Sequence, residues 1–286
     1  DGIRDLVRSR GLGDVYKRQI RKSRVDLSRR AVVYDMRGLS FREYLNLTLG
    51  LELPAVSLED IISSHLDHAP EILKKVKPLK YFSAYLKSGY YPFFLEVPEL
   101  YFHRLEEIIN LILETEFPLL RKVEIENVPK LKLLLKILAE SAPFIPNIVK
   151  LSERSGLTRN TVISYLGYLE EAHLEKNLYK NAKGITRLQK PDKIYLENTN
   201  LMHALSPVGI NTENLRETFF VNQLSESHVV EYAEEGDFLV DGRFVFETGG
   251  KSKGFDQIKG IGNSFVAADG IAVSYTHLTL PTKRIV

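Results

Sequence analysis

The chain has 286 residues, 44% of them apolar and 27% charged, which is enough for two or three globular domains with buried cores. It contains no cysteine, which excludes disulfides, thiolate zinc sites and cysteine nucleophiles. No run approaches the roughly 18–20 apolar residues of a membrane span, and residues 1–19 carry charges throughout where a secretion signal has an apolar centre. A cytoplasmic protein without a membrane partner is expected.

The net charge of +2 is unevenly spread. Residues 20–37 hold 6 basic and 2 acidic residues, 38–120 hold 7 and 12, 121–196 hold 14 and 8, and 197–272 hold 5 and 12. One basic module therefore lies between two acidic ones. Its surplus points to a polyanionic partner such as DNA, and a solvated lysine-rich surface accounts for it equally well.

The first 19 residues, "DGIRDLVRSRGLGDVYKRQ", and the last 14, "VSYTHLTLPTKRIV", continue no neighbouring pattern. Both resemble peptides translated from sequencing-adapter DNA at the ends of assembled fragments. Residues 1–19 and 273–286 are therefore expected to be non-native tails, and 20–272 an internal piece of a longer protein.

From Ala31 to Tyr34 a β-branched, apolar run suits a buried strand. Ser40 with Glu43 forms an S-x-x-E capping box, which starts a helix. Up to about residue 118 apolar residues recur at helical spacing, as in Phe41, Tyr44, Leu45 and Leu49, then Ile61, Ile62 and Leu66, then Leu105, Ile108, Ile109 and Ile112. Pro54, Pro78, Pro92 and Pro98 cut this stretch into short helices.

"IPNIVKLSERSGLTRNTVISYLGYLEEAHL" then predicts a helix with Ile148, Val149 and Leu151, a turn at Ser155-Gly156-Leu157, and a second helix capped by Thr158. Val162, Leu166 and Leu169 fall on one stripe, which leaves Arg159, Asn160 and Ser164 outward. Two strand-like runs follow, "LEKNLYK" and "DKIYLEN", joined by a segment carrying Lys183, Arg187 and Lys190. The pattern is that of a winged helix-turn-helix, whose contacts to DNA would be Arg159, Asn160, Ser164, Lys183, Arg187 and Lys190. Such modules also serve as rigid spacers.

The last block predicts a helix at "TENLRETFFVNQL", strands at "HVVEY", "DFLV" and "RFVFE", a helix from about Phe255, and a strand near "FVAADGIAV". Gly250-Lys251-Ser252 ends like a phosphate loop, but the position that needs the first glycine is Val245, so no nucleotide loop is present. Glu217, Asp237 and Glu247 match the acids of a metal-dependent nuclease, with Asp237 and Glu247 as the metal ligands, and solvated hairpin and strand-end residues account for the same pattern. The lysine expected two residues after Glu247 is replaced by Gly249, which leaves Lys251 as the nearest candidate. Register decides the rest: a two-residue turn at Asp241-Gly242 would put Asp237 and Glu247 on opposite faces, whereas a bulge or a three-residue loop would set them together.

"LSRRAVVYDMRGLSFREYL", "YLKSGYYPFF", "SGLTRNTVISYLGYLEEAHL", "KIYLENTNLMHAL", "RETFFVNQL" and "GDFLVDGRFVFETGGK" stand in one order over residues 24–272. In that order the chain resembles the C-terminal two-thirds of a prokaryotic AAA+-superfamily ATPase ending in a restriction-endonuclease-like domain. The resemblance implies a multidomain α+β protein. Residues 20–118 would hold the last strand of an ATPase core and a helical lid bundle, 119–197 the winged helix, and 198–272 a small α/β nuclease-like domain. It further implies ATP and Mg²⁺ in the intact parent, with Arg29 or Arg30 touching the nucleotide phosphate, and a homo-oligomer built through the absent core. In that family pattern Glu217, Asp237, Glu247 and Lys251 form a degenerate nuclease-like site, so an inactive domain is expected, with a Mg²⁺-dependent DNA nuclease as the alternative.

Overall fold

The computed structural model describes residues 36–180, 190–206 and 210–270, together with the backbone of 284–285. The strand expected at Ala31–Tyr34, Arg29, Arg30, Lys183 and Arg187 lie outside the described residues. Residues 36 and 37 are the described part of one unit, Asp1–Arg37, and Gly38–Val286 forms a second compact unit of mixed α+β structure.

The second unit opens on α1 (Phe41–Leu49), whose capping box forms as expected: Ser40 Oγ accepts from the Glu43 amide at 3.3 Å, and Glu43 Oε2 accepts from the Ser40 amide at 2.8 Å. The next helix, α2 (Leu58–Lys75), leaves helical geometry at Ser64 and holds Pro70, which lacks the amide needed for the helical ladder. After α3 (Leu79–Ser88), Pro92 and Pro98 each start a 3₁₀ turn, and α4 (Tyr101–Leu111) runs through a π turn at Ile112–Glu116 into α5 (Phe117–Arg121).

The basic module follows. It comprises α6 (Val128–Ser141), α7 (Ile148–Ser155), α8 (Arg159–Glu171) and the antiparallel strands β1 (Glu175–Leu178) and β2 (Lys193–Leu196). Gly156 closes α7 at φ 68°, a left-handed conformation that costs glycine nothing, and Thr158 accepts from the Thr161 amide to start α8. Val162, Leu166 and Leu169 are buried as expected, each contributing roughly 1.5–3 kcal/mol of burial. Phe144 adds an isolated bridge to Ile194, so the pair of strands gains a third partner ahead of α7.

The acidic block begins with α9 (Thr199–Leu205) and α10 (Thr212–Leu224). Its sheet runs in the order β3 (Val230–Tyr232), β4 (Phe238–Val240), β5 (Phe244–Gly249), β6 (Ser264–Ala268) and β7 (Arg284–Ile285), antiparallel as far as β5 and parallel beyond it. β7 comes from the tail that the sequence reading set aside; an open strand edge accepts extended backbone of almost any sequence. The helix expected from Phe255 is only a 3₁₀ turn, Asp256–Ile258, because Gly254, Gly260 and Gly262 surround a segment too short to offset the cost of helix nucleation.

The blocks are not separate bodies within Gly38–Val286. Leu58 and Ile62 of α2 share one core with Leu178, Tyr195, Val221, Phe238 and Phe246. The Tyr232 amide donates to the Tyr179 carbonyl at 3.2 Å, which links the edges of the two sheets. Asn200, 0% exposed, ties the early helices to α9 by four hydrogen bonds. Its Oδ1 accepts from the Tyr90 amide at 2.8 Å and the Tyr101 hydroxyl at 2.5 Å, and its Nδ2 donates to the carbonyls of Tyr85 at 3.1 Å and Leu86 at 2.8 Å. A second junction runs through Gln223, which accepts from the Phe41 amide and donates to the Tyr85 hydroxyl, each at 2.9 Å.

Candidate functional site

Strands β4 and β5 pair Val240 with Phe244 and Phe238 with Phe246, so the connecting loop has three residues, Asp241 to Arg243. Asp241 at φ 54° and Gly242 at φ 63° supply its left-handed backbone. This is the loop length under which the two strand carboxylates come to one place. Asp237 Oδ2 accepts from the amide and the hydroxyl of Thr248, both at 2.7 Å, beside Glu247. The third acid, Glu217, sits on the inner side of α10 next to the buried Thr218 and Val221.

Each acid already has donors from the protein. Glu217 Oε2 accepts from Lys193 Nζ at 2.6 Å and from the Tyr195 hydroxyl at 2.7 Å, both on β2. Glu247, 3% exposed, has Lys253 Nζ 2.5 Å from its Oε1. Burial pushes the Glu247 carboxyl up; Lys253 opposes this, and the charges of Asp237 and Glu217 add to it. At Lys253 burial works against the ammonium, but the hydrogen bond and charge of Glu247, with Asp237 and Glu213, outweigh burial and raise its pKa. Tyr195 is raised by burial and then by Glu217, so it remains a hydroxyl donor.

The lysine beside Glu247 is therefore Lys253 and not Lys251, the one expected there. The Lys253 amide donates to the Gly250 carbonyl at 2.9 Å, closing a turn that leaves Lys251 exposed at its outer corner. The stem of Lys253 then folds back over Gly249: a Cβ built at Gly249 would lie 2.5 Å from Lys253 Cγ. Lys253 thus fills the space that a side chain at 249 would occupy, and a glycine there is what leaves room for it. The turn-closing glycines and the second lysine of "GGKSK" were the only sequence signal for this. Nearby, Arg216 of α10 pairs with Asp269, just after β6, and Gly250 packs against that guanidinium.

Two of the three acids are already neutralised by lysines of the chain itself. Both glutamates have an ammonium group at hydrogen-bond distance, and among the described residues no three His, Asp or Glu side chains converge closely enough to hold a metal. Of the two expected metal ligands, Glu247 is thus engaged by Lys253, while Asp237 accepts from Thr248.

The nucleic-acid candidates fall elsewhere. Arg159, Asn160 and Ser164 are all exposed on the outer side of α8, and Ser164 Oγ donates back to the Asn160 carbonyl at 3.0 Å. Lys190 is exposed ahead of β2. None of them reaches the acidic centre, which connects to this module through Lys193 and Tyr195.

Residues 79–214 match a family described as a domain of unknown function, DUF8612, and the match stops short of Glu217. The chain is also 25% identical over 173 residues to the uncharacterized protein MJ1637 of Methanocaldococcus jannaschii, which covers 59% of this chain and 37% of that protein. No solved structure matches the chain.

Proposed function

We propose that the chain works by binding and not by cutting, as the DNA-associated part of an ATP-driven protein. In this reading 119–197 is a winged helix that presents α8 to DNA, and 198–272 is a nuclease-like fold that serves as an inert platform. The observation that carries it is the two ion pairs, Lys193–Glu217 and Lys253–Glu247, in which half-buried lysines engage both buried glutamates. The exposed Arg159, Asn160 and Ser164 support the binding half of the proposal. Arg29 and Arg30, assigned to the nucleotide phosphate by resemblance, lie outside the described residues.

The second reading, a Mg²⁺-dependent DNA nuclease, is favoured by one observation: Lys253 lies over Gly249 with its ammonium on Glu247, where a nuclease lysine is wanted. Incubation of supercoiled plasmid with the chain and Mg²⁺ or Mn²⁺ separates the two. We expect no nicking by the chain or by Glu247→Ala, together with salt-dependent duplex binding that Arg159→Ala weakens about tenfold, the loss of one charged contact. Nicking that disappears in Glu247→Ala would establish the nuclease, and failure to bind duplex at low salt would leave the helical module a spacer.

A further inference from the structure

Glu175 opens β1, and strand alternation turns it and Asn177 to one face, opposite Leu196 and Ile194 of β2. That face lines the core that includes Leu166 and Leu169 of α8. Glu175 is 0% exposed and Asn177 5% exposed. The Asn177 amide group donates to Glu170 Oε2 at 3.2 Å and to Glu175 Oε1 at 3.3 Å, and its backbone amide donates to Glu170 Oε1 at 3.4 Å. Two buried oxygens have no hydrogen-bond partner, Glu175 Oε2 and Asn177 Oδ1. An ionised carboxylate and an amide carbonyl are both acceptors and cannot satisfy each other. A carboxylic acid is a donor as well, so one proton shared between Glu175 Oε2 and Asn177 Oδ1 would account for both unpartnered oxygens.

We propose that Glu175 is a neutral carboxylic acid in the folded protein, closed with Asn177 into a cyclic acid–amide pair that holds β1 against α8, so that loss of this proton loosens the β1–β2 pair. The charged group drawn to it is Glu170 from α8, whose charge further disfavours a second carboxylate. β2 presents Ile194 and Leu196 to this face, while Lys176, Lys193 and Glu197 alternate to the other, where Lys193 meets Glu217 and Glu197 lies 3.9 Å from His173. Burial raises the Glu175 pKa, the Asn177 hydrogen bond opposes that, and Glu170 adds to it. The sign of the linkage follows: as pH rises through the ordinary glutamate range only the unfolded chain ionises, so stability falls until the folded carboxyl ionises as well. This inference is independent of the DNA and nuclease readings.

The test uses the whole chain. Carboxyl ¹³C NMR of glutamate-labelled protein, with Glu175 assigned by its loss in Glu175→Gln, should show a protonated acid at neutral pH. Glutamine reproduces the neutral pair, since its amide group donates to Asn177 Oδ1 and its carbonyl accepts from Asn177 Nδ2. Glu175→Gln should therefore melt at or above the unaltered chain, with a margin that widens as pH rises, while Glu175→Ala loses about 5 °C. A carboxylate signal for Glu175 at neutral pH, or Glu175→Gln melting as low as Glu175→Ala, would overturn the proposal. If Glu175→Ala does not fold, the NMR signal and the pH dependence of Glu175→Gln decide it.

Discussion

Replacing Asn200 with leucine should cost about 4 kcal/mol of folding stability, read as a lower urea midpoint at unchanged slope. Leucine has nearly the same volume, so the loss comes from polar groups left behind. The Tyr90 amide and the Tyr101 hydroxyl would lose their acceptor, and the carbonyls of Tyr85 and Leu86 their donor, in a place with 0% exposure. Each buried group stranded in this way costs about 1–3 kcal/mol, and partial rearrangement keeps the total below the sum. Asn200→Asp should be no better, because it turns a carboxylate oxygen toward two carbonyls. A change under about 1 kcal/mol in Asn200→Leu would mean that the junction between the early helices and α9 is held by apolar packing alone.

Lys193→Met should cost about 3 kcal/mol at neutral pH, because it leaves Glu217 inside the molecule with only the Tyr195 hydroxyl to answer its charge. Adding Glu217→Gln to the same chain should recover most of the loss, since a neutral amide still accepts from Tyr195 and carries no charge that needs a partner. That asymmetry separates a buried pair from a surface one: removing one member is costly, while replacing both is nearly neutral. Equal stability of Lys193→Met and the unaltered chain would show that the ion pair is solvated and contributes little.

Much of the architecture is legible in the sequence because it is written in local patterns. The Ser40–Glu43 box, the Thr158 cap and the stripe Val162, Leu166 and Leu169 depend on neighbours within a few residues, and the structure follows them. Helical spacing alone does not tell how wide the buried stripe is, so Ile108 at 42% and Val149 at 37% exposure face outward although they fit the pattern. The candidate site was legible in part. Asp237 and Glu247 share one face because the loop between their strands has three residues instead of two, a difference of register that the dipeptide Asp241-Gly242 does not specify, whereas Glu217 comes from α10. Lys253 was hidden by its position, since the turn that returns it over Gly249 depends on space left by two glycines and not on spacing from Glu247. Lys193 and Asn200 were hidden for a different reason. Their partners are 24 residues away at Glu217 and 99 to 115 away at Tyr101, Tyr85 and Leu86, although the polar run Glu197-Asn198-Thr199-Asn200 between two apolar segments marked a buried network.

The claim on which the account rests is that lysines, and not a metal ion, neutralise the acidic centre. Calorimetric titration of Mn²⁺ into the chain and into Glu247→Ala tests it directly. Two superimposable titrations without a saturable site are expected; a one-site isotherm in the unaltered chain that vanishes in Glu247→Ala would show that a metal ion sits on Glu247.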